Sequence, residues 1–518
     1  MSFTHTHAHT SGSTLDGCGH IEEYAELAKK NNMPSMCITD HGNMSNVYNF
    51  CTTMKKHGVK PIIGCEFYLY NDFMFDDSYE LKVPTSHQIV LVKDKDGFVN
   101  ANKLNYDSFT KTFYRKPLVR RSELYKNRKG LIVTSSCMIS EMNQLFRNDK
   151  DEDAIQLLYQ YKETFGDDFY VEIQLNELED QKILNKKLID WANKSKTKII
   201  LTGDVHYAKP GDDRVQDLVI AIKRNTDPDD EKSWKLNARN LFFQSREDFQ
   251  RLNLQFGYDY HETFIDECLN NTLEINDKCN YALETGVNNF PIYVTDTGEK
   301  PEDFILRITK EGLKKKIDSG KIDKNKAGIY LKRIKFEYDI LTSKGYVDYI
   351  LVIWDIIDYA KKNGILVGTG RGSAAGSLIS YLIGITDIDP IVNDLYFERF
   401  LNPERVANPD IDFDIESERR EELAEYVINK YGREHVTKVI TFGTYQIKGV
   451  LRDLVRVLNR SKGEVDFVCK QIPDFNPDIK KWDVKAILDF TRESLKNKHY
   501  ELMRLETWLE ENKDIVHY

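Results

Sequence analysis

The sequence predicts an α/β fold in three parts: a distorted (β/α) barrel, a second α/β region and a mostly helical end. Three observations lead to this prediction. Metal-ligand side chains follow successive short apolar runs in the first part, aspartates alternate with apolar residues in the second, and basic residues recur every four positions in the third. We expect the parts to comprise residues 1–285, 286–430 and 431–518.

In the first part, short strands alternate with amphipathic helices. The Ile-, Val- and Leu-rich runs are 35–38, 61–63, 89–92, 131–133 and 199–201. Stretches with helical spacing, such as 21–30 and 153–164, lie between them. Strand, ligand and helix in repeated order are typical of an α/β barrel whose site lies at the carboxyl ends of its strands.

Most candidate metal ligands of this part lie where a strand run ends. His5, His7 and His9 alternate, which on a strand would place all three on one face. The other candidates are Asp16, Asp40, His41, Glu66, His87, Cys137, Asp204 and His206. A single buried histidine is as often a core or capping residue as a ligand. So many candidates after successive strand runs nevertheless favour a site for divalent metal.

The second part contains a cluster of carboxylates. Asp410, Asp412 and Asp414 alternate with Ile411 and Phe413, which is the period of a strand, so the three carboxylates are expected on one face. Crowded carboxylates repel each other unless cations lie between them. Two divalent ions are what an in-line phosphoryl displacement requires.

A glycine-rich turn precedes this aspartate segment. It begins at Gly368, and its Arg371, Ser373 and Ser377 stand where a helix over 373–383 is predicted to begin, a suitable place for a triphosphate. Such a turn alone is more often only a tight turn, and alternating aspartates are often a solvated edge. The two together, with Arg399 and Arg405 between them, favour nucleotidyl transfer.

The third part contains a basic stripe on a predicted amphipathic helix. Its members recur every four residues: Lys448, Arg452, Arg456 and Arg460. In an arbitrary protein such a face is usually only solvated. Beside a nucleotidyl-transfer site, however, it favours contact with nucleic-acid phosphates.

Composition limits the kind of partner and compartment. The net charge of −10 argues against a generally basic nucleic-acid coat, so any such contact has to be a local patch. The eight cysteines form no CxxC pair, which indicates a reducing compartment. Because we find neither a secretory leader nor an apolar run of membrane-spanning length, we expect a cytoplasmic protein without a membrane partner.

Four long motifs occur between about residues 338 and 458. They are Tyr346-Val-Asp-Tyr-Ile-Leu-Val-Ile-Trp-Asp355, Gly364-Ile-Leu-Val-Gly-Thr-Gly-Arg-Gly-Ser373, Gly384-Ile-Thr-Asp-Ile-Asp-Pro390 and Thr441-Phe-Gly-Thr444. The segment that holds them resembles the palm and the start of the thumb of the bacterial family C replicative DNA polymerases, the family of DNA polymerase III alpha subunits. The resemblance implies a DNA-directed DNA polymerase, in a bacterium or in a phage inside one.

The resemblance also implies roles for the residues of the second and third parts. Asp410 and Asp412 would be two of three aspartates that bind Mg, with Asp414 in support. Arg371, Gly372 and Ser373 would line the incoming dNTP or the primer terminus. Arg399 and Arg405 would face phosphates. The basic stripe of the third part would contact primer–template DNA.

The first part resembles the PHP (polymerase and histidinol phosphatase) domain that opens these polymerases. The resemblance implies a set of ligands for up to three Zn, Mn or Fe ions: His5, His7, Asp16, His41, Glu66, His87, Cys137, Asp204 and His206. Asp40 and His9 are expected to support these ligands instead of binding metal. The chemistry implied is attack of a metal-activated water on a phosphodiester, hence a 3′–5′ exonuclease that removes misinserted nucleotides.

In this family the third catalytic aspartate and the fingers lie beyond the position of Tyr518. The chain is therefore expected to be half of a split polymerase completed by a second polypeptide, or a truncated product, acting with other replisome subunits. Two other functions remain open. The chain is a stand-alone PHP exonuclease or phosphoesterase with an idle palm, or it is a DNA-binding scaffold subunit without chemistry.

Overall fold

The computed structural model describes residues 2–72, 85–236, 238–286, 290–295, 297–402, 409–443, 446–460, 462–472, 487–488, 491, 495 and 499–512. They form two compact units. One unit holds residues 1–283 together with 444–518, and the other holds residues 284–443.

The first unit contains a mixed seven-stranded sheet, which confirms the predicted α/β class. Its strands are β1 (Ser35–Ile38), β2 (Lys60–Tyr70), β3 (Ser86–Val92), β4 (Leu118–Arg120), β5 (Leu131–Thr134), β6 (Phe169–Gln174) and β7 (Ile199–Thr202). The order is β1-β2-β3-β5-β6-β7, and β4 pairs with β2. Both pairings of β3 are antiparallel and the others are parallel, so β3 runs against its neighbours.

The segment 5–8 lies between the two edge strands of this curled sheet. His5 bridges Met36 of β1, and Ala8 bridges Val205, which follows β7. Both bridges are parallel. The segment thus connects the first and last strands of the predicted distorted barrel.

Helices cover both faces of the sheet. They are α1 (Ile21–Lys30), α2 (Val47–His57), α3 (Lys95–Thr110), α4 (Arg121–Lys126), α5 (Glu141–Arg147), α6 (Asp151–Phe165), α7 (Glu179–Ser195), α8 (Asp213–Arg224), α9 (Arg246–Gln255) and α10 (Glu262–Lys278). Ile132 and Val133 are adjacent in β5 but pack into different apolar clusters, and the cluster of Ile132 includes Ile275 of α10. Because strand side chains alternate between faces, both faces of β5 are therefore buried.

Among the described residues after 443, three helices described along their whole length pack against the rest of the first unit. They are α16 (Ile447–Val457), α17 (Lys462–Gln471) and α18 (His499–Glu511), in chain order after five helices of the second unit. Leu218 of α8 shares a buried cluster with Leu451 and Leu454 of α16. The apolar side of α16 therefore faces the unit that carries the sheet.

The second unit is mostly helical. Its helices are α11 (Pro301–Asp318), α12 (Ala327–Ser343), α13 (Val347–Lys362), α14 (Leu378–Ile383) and α15 (Arg420–Tyr431). Helix α13 is apolar on most faces and has Ile350 and Leu351 in the core, as its sequence predicts.

The strands predicted in this unit are not regular strands. Within the described residues of 284–443, the segment 365–367 and the aspartate segment 409–414 are extended and meet in a single antiparallel bridge between Val367 and Ile415. Side-chain burial still alternates as on a strand, because Ile411 is buried while Asp410, Asp412 and Asp414 are exposed. A strand assignment needs a ladder of paired neighbours, and one bridge is too short for it.

No helix formed by the described residues is long and apolar enough to cross a membrane.

Candidate functional site

Glu66 of β2 lies in a buried cluster of carboxylates and imidazoles. Its Oε1 is 3.5 Å from His7 Nε2, and its Oε2 is 3.6 Å from His9 Nε2. Asp204 Oδ1 lies 3.1 Å and 3.3 Å from the same two nitrogens. Two carboxylates therefore face one pair of imidazole nitrogens, which are themselves 3.1 Å apart.

Three further predicted ligands lie against Glu66. Its Oε2 is 2.6 Å from His41 Nδ1 and 3.2 Å from His87 Nδ1. Cys137 Sγ lies 3.6 Å from Glu66 Oε1 and 3.7 Å from His87 Nδ1. One carboxylate thus contacts side chains that are far apart in sequence.

Asp16 and His206 complete the cluster. Asp16 lies 3.6 Å from His41 Nε2 and 3.9 Å from His206 Nε2, and His206 Nδ1 is 3.5 Å from Asp204 Oδ1. Three groups have ligand atoms that all lie within 4.8 Å of one another: His7 with His9 and Glu66, His41 with Glu66 and His87, and His9 with His41 and His206.

The direction of each strand explains why these residues meet. His41, Cys137 and Asp204 follow β1, β5 and β7, and the carboxyl ends of parallel strands share one edge of a sheet. His87 instead lies at the start of β3. Because β3 is antiparallel to β2 and β5, its start lies at that same edge.

The structure corrects the roles expected of His5 and His9. His9 lies among the ligands, whereas His5 lies outside them: its Nε2 is 2.8 Å from Gln244 O, and its ring contacts Phe3 and Phe243. The predicted alternation fails because the chain bends at His7, between the bridges of His5 and Ala8. His5 is therefore a core residue of this fold.

A buried carboxylate behind the cluster was not foreseeable from the sequence. Glu172 Oε1 lies 2.6 Å from His7 Nδ1, and Thr134 and Thr202 donate hydrogen bonds to the same carboxylate. It lies within β6, a strand that the sequence did not predict. A carboxylate in this position fixes the ring orientation and the proton of a metal-binding histidine.

Asp40 takes the supporting place expected of it. It accepts hydrogen bonds from Thr10 N, 2.6 Å away, and from Ser13 Oγ, 2.8 Å away. Ser13 Oγ in turn lies 3.1 Å from His9 Nδ1. Asp40 thus orients His9 through the Ser13 hydroxyl.

The charges of the cluster are strongly coupled. Burial alone lowers the pKa of His7, but the Asp204 and Glu172 carboxylates outweigh burial and raise that pKa well above its usual value. Burial alone raises the pKa of Glu66, but His87 and His41 lower it well below its usual value. Without metal, a proton on His7 therefore compensates ionised carboxylates that burial would otherwise make costly.

These residues fit a divalent metal. Within the cluster, the buried side-chain atoms without a hydrogen-bond partner include His41 Nδ1, Glu66 Oε2 and Asp204 Oδ1. The first two are close together but lack hydrogen-bond geometry. Unpartnered buried polar atoms are costly, and cations bound within the cluster would satisfy them. The imidazole, carboxylate and thiol donors suit transition metals.

The second unit brings its glycine-rich turn against the aspartate segment. Gly368 N donates to Asp414 O over 2.8 Å. Gly370 and Gly372 have φ values of +114° and +65°, which a side chain would strain, and a Cβ on Gly372 would lie 3.5 Å from Asp412 Oδ2. The positive φ values thus favour glycine at both positions of this turn.

Arg371 connects the turn with the aspartates. Its Nη1 donates to Asp414 Oδ1 over 3.1 Å, and its Nε lies 3.8 Å from Asp412 Oδ2. The Arg371, Asp412 and Asp414 side chains are 59%, 49% and 66% exposed. Solvent therefore reaches this group, in contrast to the buried cluster.

A buried carboxylate occupies the helix start that was predicted to receive a triphosphate. Residues 372–376 form a 3-10 turn, and α14 begins only at Leu378. Glu337 of α12 accepts hydrogen bonds from Leu378 N, over 2.9 Å, and from Ile379 N, over 3.0 Å. These N–H groups are already satisfied by the chain, so the loop 368–373 remains for phosphate.

Two further arginines are predicted to bind phosphate. Arg399 is exposed at the end of the 3-10 turn Phe397–Arg399. Arg405 lies outside the described residues.

The basic stripe contacts its own chain. Arg452 donates to Asp466 over 3.0 Å, and Arg456 donates to Asp453 over 2.9 Å. Arg456 also bonds to Asn225, and Arg460 lies 3.2 Å from Asn512 Oδ1. Lys448 lies on the same helix and is half-buried. Phosphate binding by the three arginines would compete with these contacts.

Comparison with known proteins gives two family matches. Residues 5–176 match the PHP domain, and residues 303–515 match the bacterial DNA polymerase III alpha NTPase domain. A solved amidohydrolase from Chromobacterium violaceum aligns with 41% of this chain and 89% of its own, at 12% identity and a TM-score of 0.26, a score from which nothing follows.

Similar curated proteins include DNA polymerase III alpha subunits. The Helicobacter pylori protein is 36% identical over 497 residues, which cover 91% of this chain and 40% of the relative. The proteins of Borreliella burgdorferi and Aquifex aeolicus are 35% and 34% identical over 94% and 91% of this chain, and each is covered to 41%. The chain thus spans about two-fifths of the length of the curated relatives it matches.

The sheet with its imidazole–carboxylate edge, followed by the aspartate segment and its glycine-rich turn, defines a PHP domain joined to a polymerase region. The matched residues of both family models agree with this class. Residues 5–176 thus belong to the PHP domain family and residues 303–515 to the bacterial DNA polymerase III alpha NTPase domain family, and the chain is similar to DNA polymerase III alpha subunits along 91% of its length.

Proposed function

We propose that this chain is the N-terminal part of a DNA-directed DNA polymerase and performs template-directed nucleotidyl transfer in the bacterial cytoplasm. The observation that carries the proposal is the similarity to DNA polymerase III alpha subunits along 91% of the chain. Primer–template DNA and dNTPs are the proposed substrates, and other replisome subunits are the proposed partners.

In the second unit, Asp410 and Asp412 are the proposed ligands of Mg. Magnesium bound there would neutralise charge on the phosphates during in-line displacement. Arg371, now paired with Asp414, would exchange this partner for a phosphate of the dNTP, next to the Gly372 and Ser373 backbone. Arg399 and Arg405 are proposed to contact phosphates as well.

We propose that Asp410 and Asp412 act as two of three carboxylates in the polymerase site. We propose that a second polypeptide supplies the third aspartate and the fingers. The stripe of Lys448, Arg452, Arg456 and Arg460 is proposed to contact the primer–template backbone, in exchange for its present side-chain partners.

Primer extension tests this function. The chain is mixed with a polypeptide that carries the remaining polymerase segment, and Mg-dependent extension of a primer–template is measured. We expect Asp410→Asn or Asp412→Asn to abolish extension, because each removes a proposed ligand. The matched control Glu418→Gln changes an exposed carboxylate and should retain activity. Extension that survives both aspartate changes would refute the proposal.

We further propose that the buried cluster of the first unit is a 3′–5′ exonuclease site for Zn, Mn or Fe. Up to three ions would be held by His7, His9, Asp16, His41, Glu66, His87, Cys137, Asp204 and His206. Ions bound there would supply an activated water for hydrolysis of a phosphodiester. The unpartnered buried atoms of His41, Glu66 and Asp204 support this proposal.

Release of 3′ nucleotides from labelled DNA by the isolated chain tests the exonuclease. We expect Mn-dependent release that His9→Ala abolishes, while His57→Ala, which removes a histidine paired with exposed Glu22, leaves it intact. Bound metal is measured in the same samples. A chain that binds no transition metal and releases no nucleotide would favour the scaffold function.

A further inference from the structure

Three cationic side chains lie beside the imidazole–carboxylate cluster of the first unit: Lys116, Lys223 and Arg224. All three are exposed. Within the part of the chain that the structure describes, none of them forms a salt bridge with a carboxylate. The arginines of the basic stripe differ, because Arg452 and Arg456 are paired with aspartates.

Helix α8 brings two of these cations to the cluster. Gln216 in its second turn lies 3.5 Å from Asp16 Oδ1, which belongs to the cluster. Lys223, two turns later and about 10 Å further along the axis, lies 3.2 Å from Thr14 O. The C-terminal end of α8 therefore lies along the loop that carries Asp16.

The third cation, Lys116, precedes β4 in the sequence and also lies beside the cluster. Its Nζ lies 4.2 Å from the centre of the Tyr68 ring. That ring stacks at 6.0 Å on His41 and contacts His87 at 5.3 Å. Partial burial and the charge of Lys223 lower the pKa of Lys116, whereas Glu66 raises it, so Lys116 lies within electrostatic reach of both the cluster and α8. Lys116 and Lys223 thus flank one opening.

An exposed aromatic ring lies next to these cations. Trp234 is 46% exposed, and the Arg224 guanidinium lies over its ring at 4.1 Å from the centre. An exposed indole beside unpaired cations is the arrangement that single-stranded nucleic acid recognises, because bases stack on the ring while phosphates meet the charges. Bases in the interior of a duplex are stacked on both faces and offer no free face to the ring.

We propose that Lys116, Lys223, Arg224 and Trp234 form a single-strand entry surface that leads an unpaired nucleic-acid end to the buried cluster. Lys116 and Lys223 hold phosphates on either side of the opening, and Trp234 stacks on an unpaired base. The cluster itself is recessed, since the Asp16, Asp204 and His41 side chains are 21%, 15% and 10% exposed. An unpaired terminus fits this opening better than a duplex. The inference rests on the proposed nuclease function and names its substrate.

Binding without metal tests the entry surface separately from hydrolysis. Fluorescein-labelled single-stranded oligothymidylate is titrated with the whole chain in EDTA at two salt concentrations. We expect Lys116→Gln and Lys223→Gln each to weaken binding about 3- to 10-fold and to reduce the salt slope by roughly 0.7. Trp234→Leu should weaken binding about tenfold, because it removes a stacking surface.

The matched control is Lys129→Gln. Lys129 is an exposed lysine that precedes β5, at the edge of the sheet opposite to the ligands, and its variant should bind as the wild type does. Photo-crosslinking from a 3′-terminal 5-iodouracil should label the peptide of Trp234 or of Tyr68. Circular dichroism melting confirms that each variant is folded.

Three outcomes would overturn the entry surface: unchanged binding in all three variants, equal weakening for a duplex of the same length, or crosslinks confined to residues 284–443. Hydrolysis is measured separately, with bis(p-nitrophenyl) phosphate and Mn²⁺. Weakened single-strand binding in a chain that hydrolyses no phosphodiester would support the surface and refute the nuclease. Hydrolysis with unchanged binding would refute the surface and support the nuclease.

Discussion

The imidazole–carboxylate cluster and the aspartate segment hold carboxylates in opposite environments. Glu66 is fully buried and lies within 3.7 Å of imidazole or thiol groups from four other segments. Asp412 and Asp414 are about half exposed or more, and Arg371 lies beside both. Burial makes the arrangement of the cluster independent of any substrate, whereas a substrate phosphate can compete for the arginine that organises the aspartates.

The largest effect is expected at Glu66. Glu66→Gln removes the charge that His41 and His87 share, so transition-metal affinity should fall by more than about 100-fold, beyond the loss typical of supporting residues. Competition with a chromogenic chelator measures the affinity. The control Glu22→Gln, an exposed residue of α1, and the variant Asp412→Asn should both bind metal at this site as the wild type does. Unchanged metal affinity in Glu66→Gln would contradict the contrast between the buried cluster and the exposed aspartates.

The second-largest effect is expected at Glu337 of the second unit. It is buried, and its carboxylate accepts hydrogen bonds from Leu378 N and Ile379 N, which Glu337→Gln leaves poorly satisfied. We expect a loss of about 2 kcal/mol in unfolding free energy. Hydrogen exchange at these two amides should accelerate correspondingly, whereas Asp303→Asn, an exposed change on α11, should have no effect. Unaltered exchange would show that the carboxylate is not what holds the start of α14.

His5 gives a pH-dependent effect of similar size. Burial lowers its pKa to about 4, against about 6.5 in an unfolded chain. The unfolded state therefore binds the proton more readily, so the stability from neutral His5 is present above pH 6.5 and is lost as the pH falls towards 4. Between pH 7 and pH 5 the loss is about 2 kcal/mol.

The variant His5→Leu isolates this contribution. Denaturant unfolding in EDTA is compared between the wild type and the variant at each pH, so that groups present in both chains, such as His7, cancel. The difference should shrink or reverse as the pH falls from 7 to 5. A difference that stays constant would mean that His5 is not buried in its neutral form.

The smallest effect is expected for Arg452. Its partner Asp466 and Arg452 itself are 60% and 49% exposed, and ion pairs at such exposure contribute less than about 1 kcal/mol. Urea denaturation of Arg452→Gln should therefore resemble that of the wild type. A loss above about 2 kcal/mol would show that the stripe is structural, which would weaken the proposal that it binds DNA.

The repeated order of strand and ligand predicts the edge of the sheet from the sequence, because apolar runs such as 131–133 become strands and place Cys137 after them. That His9 lies among the ligands while His5 lies outside them could not be predicted in this way. It depends on a bend at His7, which follows from the bridges to Met36 and Val205, partners distant in sequence. Local periodicity contains no information about those partners.

The same limit explains why the contacts of two buried carboxylates, Glu337 and Glu172, could not be predicted from the sequence. Glu337 lies on a helix 41 residues before Leu378, and nothing in its neighbourhood in the sequence indicates that it caps α14. Glu172 lies in a six-residue strand whose side chains are all buried, so its contact with His7 is a product of sheet order. The glycine-rich turn, by contrast, was foreseeable, since positive φ values favour glycine locally.

The reversed direction of β3 has a consequence for how this edge can vary. The strand spans seven residues, from Ser86 to Val92, or about 20 Å. A parallel strand in its place would carry the imidazole of residue 87 to the far rim and separate it from the Cys137 thiol. Swapping strand orientation in a redesign would therefore require the histidine to migrate to the opposite terminus of the strand, so topology and chemistry can change here only together.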